Sequence, residues 1–140
     1  MYETHTLPVT VKRLVQSVMK DLYPRAEGLP GIEDCDVDTF LEKFTREGNP
    51  AMVAGVYAGS VFYALAPVAT IGKPLPSFLL SAEDRDRHAY AMATTDSYAA
   101  RQAVFLVKLV AGLCWGQDPK VRSQMNLEAY PEDPGTFRTH

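Results

Sequence analysis

The chain has 140 residues, 46% of them hydrophobic and 22% charged, which is typical of one globular domain. A net charge of −3 and scattered Lys and Arg residues argue against a nucleic-acid-binding protein, because such proteins usually carry a basic stripe. The two cysteines, Cys35 and Cys114, form no CxxC pair and favour reduced thiols. One disulfide between these two cysteines remains an alternative, since the sequence does not specify the distance between them.

The first part of the chain predicts two helices. Apolar side chains at helical spacing predict a helix over residues 9–23, which Pro24 ends. A loop containing Gly and Pro follows. A second helix is expected over residues 37–47, with an N-terminal cap from Asp36 or Asp38.

A third helix is expected over residues 51–66, in a stretch without any charged residue. Its Gly55 and Gly59 form a pair of the kind that favours close helix contacts in membranes. Pro67 follows, however, and leaves 16 residues, whereas a membrane span needs about 20. We therefore expect a helix surrounded by protein on most sides and no membrane span.

The second half of the chain also predicts helices. Ser81 and Asp84 are spaced as in a capping box and predict a polar fourth helix over residues 82–93. A fifth helix is expected over residues 97–113. It is apolar nearly all round, which predicts a central position, and Gly116 should end it.

The C-terminal part should contain one short helix and a tail. Asp118 followed by Pro119 predicts the start of a helix that reaches about Met125. Few stretches alternate with a period of two, so strands are not expected. The sequence therefore predicts an all-α fold: one domain over residues 1–140, built as a compact bundle of five to six helices, with residues 128–140 as an extended tail that binds a partner.

An acidic stretch contains the first three ligand positions of a calcium loop. Asp34, Asp36 and Asp38 have the required spacing. Thr39 and Thr45 stand where the loop needs Gly and Glu, so the match fails. We expect helix capping and a solvated acidic loop instead.

Other candidates for chemistry are equally weak. His88 and Met92 share a helix face and could bind copper or haem iron, but no further His, Cys or Met cluster supports them. Cys114 lies in an apolar stretch, which raises a thiol pKa and favours a structural role. The charged run over residues 83–87 is typical of a solvated helix face. We therefore predict no catalytic, cofactor-binding or metal-binding residue in this chain.

The C-terminal region carries aromatic and proline residues but little periodicity. Aromatic residues are enriched where proteins meet, and exposed apolar patches often mark such places. Packing of the tail on its own domain is equally compatible with these residues. The candidate partner-interface residues are Trp115, Tyr130, Pro131, Pro134 and Phe137.

Several stretches, in this order and spacing, resemble the gluconate 2-dehydrogenase subunit 3 family, the small γ subunits of flavin-dependent sugar and alcohol dehydrogenases. The likeness covers about residues 7–137. It rests on Leu7-Pro-Val, Asp21-Leu-Tyr-Pro-Arg, Gly28 to Gly31 with Val37-Asp-Thr-Phe-Leu-Glu, Phe78-Leu-Leu-Ser-Ala-Glu-Asp-Arg-Asp-Arg, Phe105-Leu-Val-Lys-Leu-Val, Cys114-Trp-Gly-Gln-Asp-Pro-Lys-Val-Arg, and Tyr130-Pro-Glu-Asp-Pro-Gly.

The resemblance implies a non-catalytic subunit that binds and stabilises a large FAD-dependent dehydrogenase of the glucose–methanol–choline (GMC) type. That partner would hold the FAD and oxidise a sugar, a sugar acid or another alcohol. In some such complexes a haem subunit accepts the electrons. Family members commonly carry a twin-arginine leader, whereas this chain starts almost directly at its first helix. We therefore expect a cytoplasmic protein, or an exported complex whose partner carries the signal.

Two other classes of protein remain as alternatives. One is a stand-alone helical enzyme or ligand-binding domain, which would need polar groups converging in a pocket between helices. Candidates for that pocket are His88, Asp96 and Arg101. The other is a helical adaptor for an unrelated partner.

Overall fold

Residues 9–128 are described by a computed structural model, and this part of the chain contains seven α-helices and no strand. Five of the helices are longer than one or two turns, which confirms the predicted all-α fold. The last twelve residues of the predicted tail, 129–140, lie outside the described residues. The helices are α1 (Val9–Leu22), α2 (Val37–Glu47), α3 (Pro50–Leu65), α4 (Pro67–Thr70), α5 (Ala82–Thr94), α6 (Tyr98–Gln117) and α7 (Pro119–Gln124).

Side-chain caps fix the starts of five helices. Each cap accepts a hydrogen bond from a backbone N–H of the first turn, which would otherwise have no partner within the helix. The predicted caps Asp36, Ser81 and Asp118 all make this contact. The remaining two are Asn49, at the start of α3, and Ser97, at the start of α6.

Two helix boundaries differ from the predicted ones. Gly116 does not end α6, which continues to Gln117. The stop comes from Asp118, whose extended backbone (ψ 129°) suits a residue before proline. Pro67 ends α3 as predicted, but it also opens the short helix α4, because proline at the first helical position lacks only an N–H that would be unpaired there.

Helix α6 lies at the centre of the fold and packs against α1, α3, α5 and α7. It runs antiparallel to α3, since Gly55 faces Leu106 and Gly59 faces Ala103. A Cβ atom at Gly59 would lie only 3.0 Å from the backbone oxygen of Ala103, so glycine permits this close approach. The buried core includes Val15, Val18, Met19, Leu41, Val56, Tyr63, Met92, Val104, Val107, Val110 and Cys114.

The length and composition of α6 would allow it to cross a membrane, and no other helix within residues 9–128 meets both conditions. A core helix of a water-soluble protein satisfies the same two conditions. Helix α3 is apolar but has only 16 residues. Helix α6 packs against four other helices, and about a third of its apolar stretch is buried.

Candidate functional site

A buried polar network connects α3, α4 and α5 through His88. The imidazole is completely buried, with Nε2 at 2.8 Å from the backbone oxygen of Tyr63 and Nδ1 at 2.6 Å from Thr70 Oγ1. A carbonyl oxygen only accepts hydrogen bonds, so Nε2 must carry a proton. Burial lowers the pKa of His88, which favours the neutral ring. Nδ1 therefore accepts a hydrogen bond from the Thr70 hydroxyl.

The network extends to α1 through Tyr63 and Asp21. The Tyr63 hydroxyl donates to Asp21 Oδ2 at 3.2 Å, and the Tyr63 ring lies 4.5 Å from the His88 ring. Burial raises the pKa of Asp21 to about 6. Arg85 opposes this shift through its positive charge and also donates to the backbone oxygen of Phe78 at 2.8 Å. The network therefore holds one carboxyl group that titrates near neutral pH.

Both ring nitrogens of His88 are therefore engaged in hydrogen bonds within the fold. Met92 is also buried and belongs to the core, so both residues of this helix face lie inside the fold. The structure does not bring His88 together with Asp96 and Arg101. Both of those residues are exposed near the start of α6, where Arg101 donates to the backbone oxygen of Thr95.

The acidic loop holds its three carboxylates apart in separate contacts. Asp34 pairs with Arg25 at 2.6 Å, Asp36 caps α2, and Asp38 accepts a hydrogen bond from Gln16. The Arg25 hydrogen bond lowers the pKa of Asp34 to about 2. Within residues 9–128 no group of three His, Cys, Asp or Glu side chains is arranged to hold a metal ion.

An open groove of about 370 Å³ lies between α1 and the segment that leads into α2. Its wall from α1 carries the basic residues Arg13 and Lys20, and its other wall carries Glu33 and Asp36. Cys35 also lines the groove. The opposite charges of the two walls provide contacts for a small polar molecule, but they favour no single reaction.

Trp115, the one proposed interface residue within residues 9–128, contacts its own domain. It lies in α6 and not beyond its end, and its indole Nε1 donates to the backbone oxygen of Pro30 at 2.9 Å. Its ring lies 6.2 Å from that of Tyr23. Trp115 therefore holds the loop after α1 against α6. The other proposed interface residues, Tyr130, Pro131, Pro134 and Phe137, lie outside the described part of the chain.

Two helices in the described residues, α3 and α6, carry rows of exposed apolar side chains. On α3, the exposed side chains recur every three or four residues and so share one face of the helix. On α6, a row with a spacing of four is exposed in the same way. The large residues of these rows are Val61, Phe62 and Leu65 on α3 and Phe105, Leu109 and Leu113 on α6, and we call them the α3–α6 apolar face.

The two exposed rows are distinct from the buried residues of these helices, such as Val56 and Val107. Helix α1 packs against both α3 and α6. Each of the six side chains is between 42% and 65% exposed, and α3 contains no charged residue at all. Six large side chains exposed to this degree present roughly 500 Å² of apolar surface, which matches the largest patches of ordinary monomers and often marks a binding site.

One feature of this face is visible in the sequence, because both helices lack a wide polar side. Periodicity could not tell which apolar residues are buried, because that depends on which side of each helix α1 covers.

No family model, no curated protein and no solved structure matches this chain.

Proposed function

We propose that this chain is a non-catalytic small subunit that binds and stabilises a larger FAD-dependent dehydrogenase of the GMC type, docking through the α3–α6 apolar face. The partner acts on a sugar, a sugar acid or another alcohol, and its FAD accepts the hydride. A haem or other electron-acceptor subunit is a further expected partner. The chain itself contributes no residue to the chemistry.

The α3–α6 apolar face is the observation that carries the binding role. Water contact with this much apolar side-chain surface is unfavourable, by about 25 cal/mol for each Å². Permanent complexes bury large apolar surfaces of this kind. Because the exposed row of α3 carries no charge, a partner can cover it without removing any ion from water.

The identity of the partner rests on the resemblance in the order of the sequence stretches. Three of those stretches lie at helix boundaries of this fold. They are the end of α1 at Asp21, the start of α5 at Ser81, and the junction of α6 and α7 at Asp118. They are structural landmarks and contain no catalytic group. They therefore support a scaffold or stabilising role.

The tail remains a proposed second contact. Tyr130, Pro131, Pro134 and Phe137 belong to it, whereas the internal contacts of Trp115 give that residue a role in folding. A Trp115→Ala variant would therefore weaken the fold as well as any interface, so lower partner yield would not separate the two effects. Substitutions on the exposed face make a cleaner test.

The test compares two exposed sites of similar size. Leu65→Gln with Phe105→Gln changes the α3–α6 apolar face, and Tyr90→Gln changes a side chain of α5 that is 72% exposed. We expect the free energy of unfolding of the double variant to lie within about 1 kcal/mol of that of the natural chain. It should retain less than a tenth of the co-purified dehydrogenase, because burying two amide groups without partners costs at least about 2 kcal/mol. The Tyr90→Gln variant should retain all of it.

Equal recovery of the dehydrogenase with both variants would exclude the α3–α6 apolar face as the docking surface. Recovery of the natural chain with membranes and without any dehydrogenase, together with loss of the double variant from the membranes, would instead indicate a lipid-binding role.

A further inference from the structure

Cys35 and Cys114 lie 79 positions apart in the sequence, yet the fold packs the segment just before Cys35 against α6, the helix that carries Cys114. Cys114 is fully buried in α6. Cys35 follows the 3₁₀ turn Ile32–Asp34, packs against the core cluster that contains Cys114, and is free of any disulfide. The sequence left open whether these two cysteines lie near each other, and the fold places both in one packed cluster.

Two hydrogen bonds position the segment that carries Cys35 against the end of α6. Trp115 Nε1 donates to the backbone oxygen of Pro30 at 2.9 Å, on one side of Cys35. On the other side, the backbone N–H of Asp36 donates to Asp118 Oδ2 at 3.0 Å. Asp118 is itself buried and caps α7. The segment that carries Cys35 is thus attached to the end of α6 both before and after the cysteine.

The two thiols differ in their access to solvent. Cys35 is partly exposed and lines the open groove between α1 and the segment that leads into α2, which gives a small molecule access to this residue. Cys114 lies behind it, without exposure. The hydrogen bond with Cys35 and then burial raise the pKa of Cys114, so this thiol stays protonated until its partner reacts.

We propose that Cys35 and Cys114 form a redox pair that a hydroperoxide converts into an intramolecular disulfide. The Cys35 sulfur attacks one peroxide oxygen, the O–O bond breaks, and water leaves with the thiol proton, giving a sulfenic acid at Cys35. The Cys114 sulfur then attacks the Cys35 sulfur. The S–O bond breaks, and a second water leaves with the Cys114 proton. Two thiols and one peroxide give one disulfide and two waters.

The bond would join the segment before α2 to the C-terminal part of α6. Because it closes a long loop, it restricts the unfolded chain strongly. The oxidised chain should therefore melt at a temperature higher by on the order of 10 °C. The groove wall at Cys35 would be attached to the core by a covalent bond.

The test uses the full-length reduced chain and hydrogen peroxide at a small molar excess. Intact mass should fall by about 2 Da, as expected for the loss of two hydrogen atoms. Proteolysis without reductant should then release one peptide pair that joins Cys35 to Cys114, and dithiothreitol should restore the original mass and melting temperature.

Two single variants separate the roles of the sulfurs. In Cys114→Ser, Cys35 should stop at the sulfenic acid, which dimedone traps, or form a dimer between two chains. In Cys35→Ser, the buried Cys114 should stay reduced. Either of two results in the natural chain would overturn the proposal. One is a gain of oxygen atoms or a dimer in place of the mass loss, and the other is a free Cys114 thiol that is alkylated when the oxidised chain is unfolded.

Discussion

Asp21 and His88 show how burial shifts two titratable groups in opposite senses within one network. Burial raises the pKa of Asp21 and lowers that of His88, because in both cases the charged form loses contact with water. Neutral His88 contributes stability above the pKa of about 6.5 that it has when unfolded, and this contribution falls as the pH drops below that value. For Asp21 the sign is opposite, so its contribution to stability falls as the pH rises from 3.8 to about 6.

The Asp21→Asn variant should be more stable than the natural chain at pH 7.5. The folded pKa of about 6 exceeds the unfolded value of 3.8, so the folded state binds the proton more tightly and loses stability as the pH rises through this window. Asn keeps an acceptor for the Tyr63 hydroxyl and carries no charge. Because Asp21 is partly exposed, we expect a gain of about 1 kcal/mol at pH 7.5 and none at pH 4.

Urea denaturation of both proteins at several pH values measures this difference. A variant that is less stable at pH 7.5, or a difference that does not change with pH, would show that the folded state tolerates the Asp21 charge.

The residue types of this network were visible in the sequence, but their contacts were not. His88 and Met92 could be placed on one helix face by their spacing alone. The partners Thr70 and Tyr63 come from other helices, 18 and 25 positions away from His88. Such contacts depend on how the helices pack, which a local pattern does not specify.

At the scale of the helices, the α3–α6 contact depends on a glycine. Gly59→Leu should lower the free energy of unfolding by about 2 kcal/mol or more, because the new side chain would press on the Ala103 backbone and the Val107 side chain. Gly116→Ala is the matched control. A Cβ atom at Gly116 would meet no other atom within 4 Å, so a small gain in stability is expected from the better helix propensity of alanine.

Thermal and chemical denaturation of these two glycine variants measure both effects. Equal stability of the Gly59→Leu variant and the natural chain would mean that α3 and α6 can move apart freely. The packing that positions the α3–α6 apolar face would then be looser than the structure indicates.

Helix positions were predictable because their signals are local. Apolar spacing, the caps Asp36, Ser81 and Asp118, and the break at Pro67 each act within a few residues. The prediction that Gly116 ends α6 was wrong, because the helix continues to Gln117. Glycine commonly ends a helix by adopting the left-handed conformation, which Gly116 does not adopt here.

At the scale of the whole molecule, the sequence predicted an all-α domain and a binding surface, but placed that surface in the tail. Within residues 9–128 six large apolar side chains are also exposed on α3 and α6, whereas residues 129–140 of the tail lie outside the described part of the chain. Trp115, expected to meet a partner, contacts Pro30 and Tyr23. The location of the face could not be predicted, because it depends on the side of the helix pair that α1 leaves uncovered.

The same face should affect the isolated chain. An exposed apolar surface of this size favours self-association, so we expect the chain alone to be poorly soluble or marginally stable. The dehydrogenase partner should relieve this by covering the α3–α6 apolar face.

The most direct measurement is co-expression of the tagged chain with the product of the neighbouring gene, followed by a pull-down and an absorption spectrum. If the chain is a small subunit, a yellow complex should elute, with a flavin spectrum that sugar or alcohol substrates bleach, and the chain should be more soluble and more stable in that complex than alone. A colourless single chain, monodisperse and melting cooperatively without any partner, would contradict the small-subunit role.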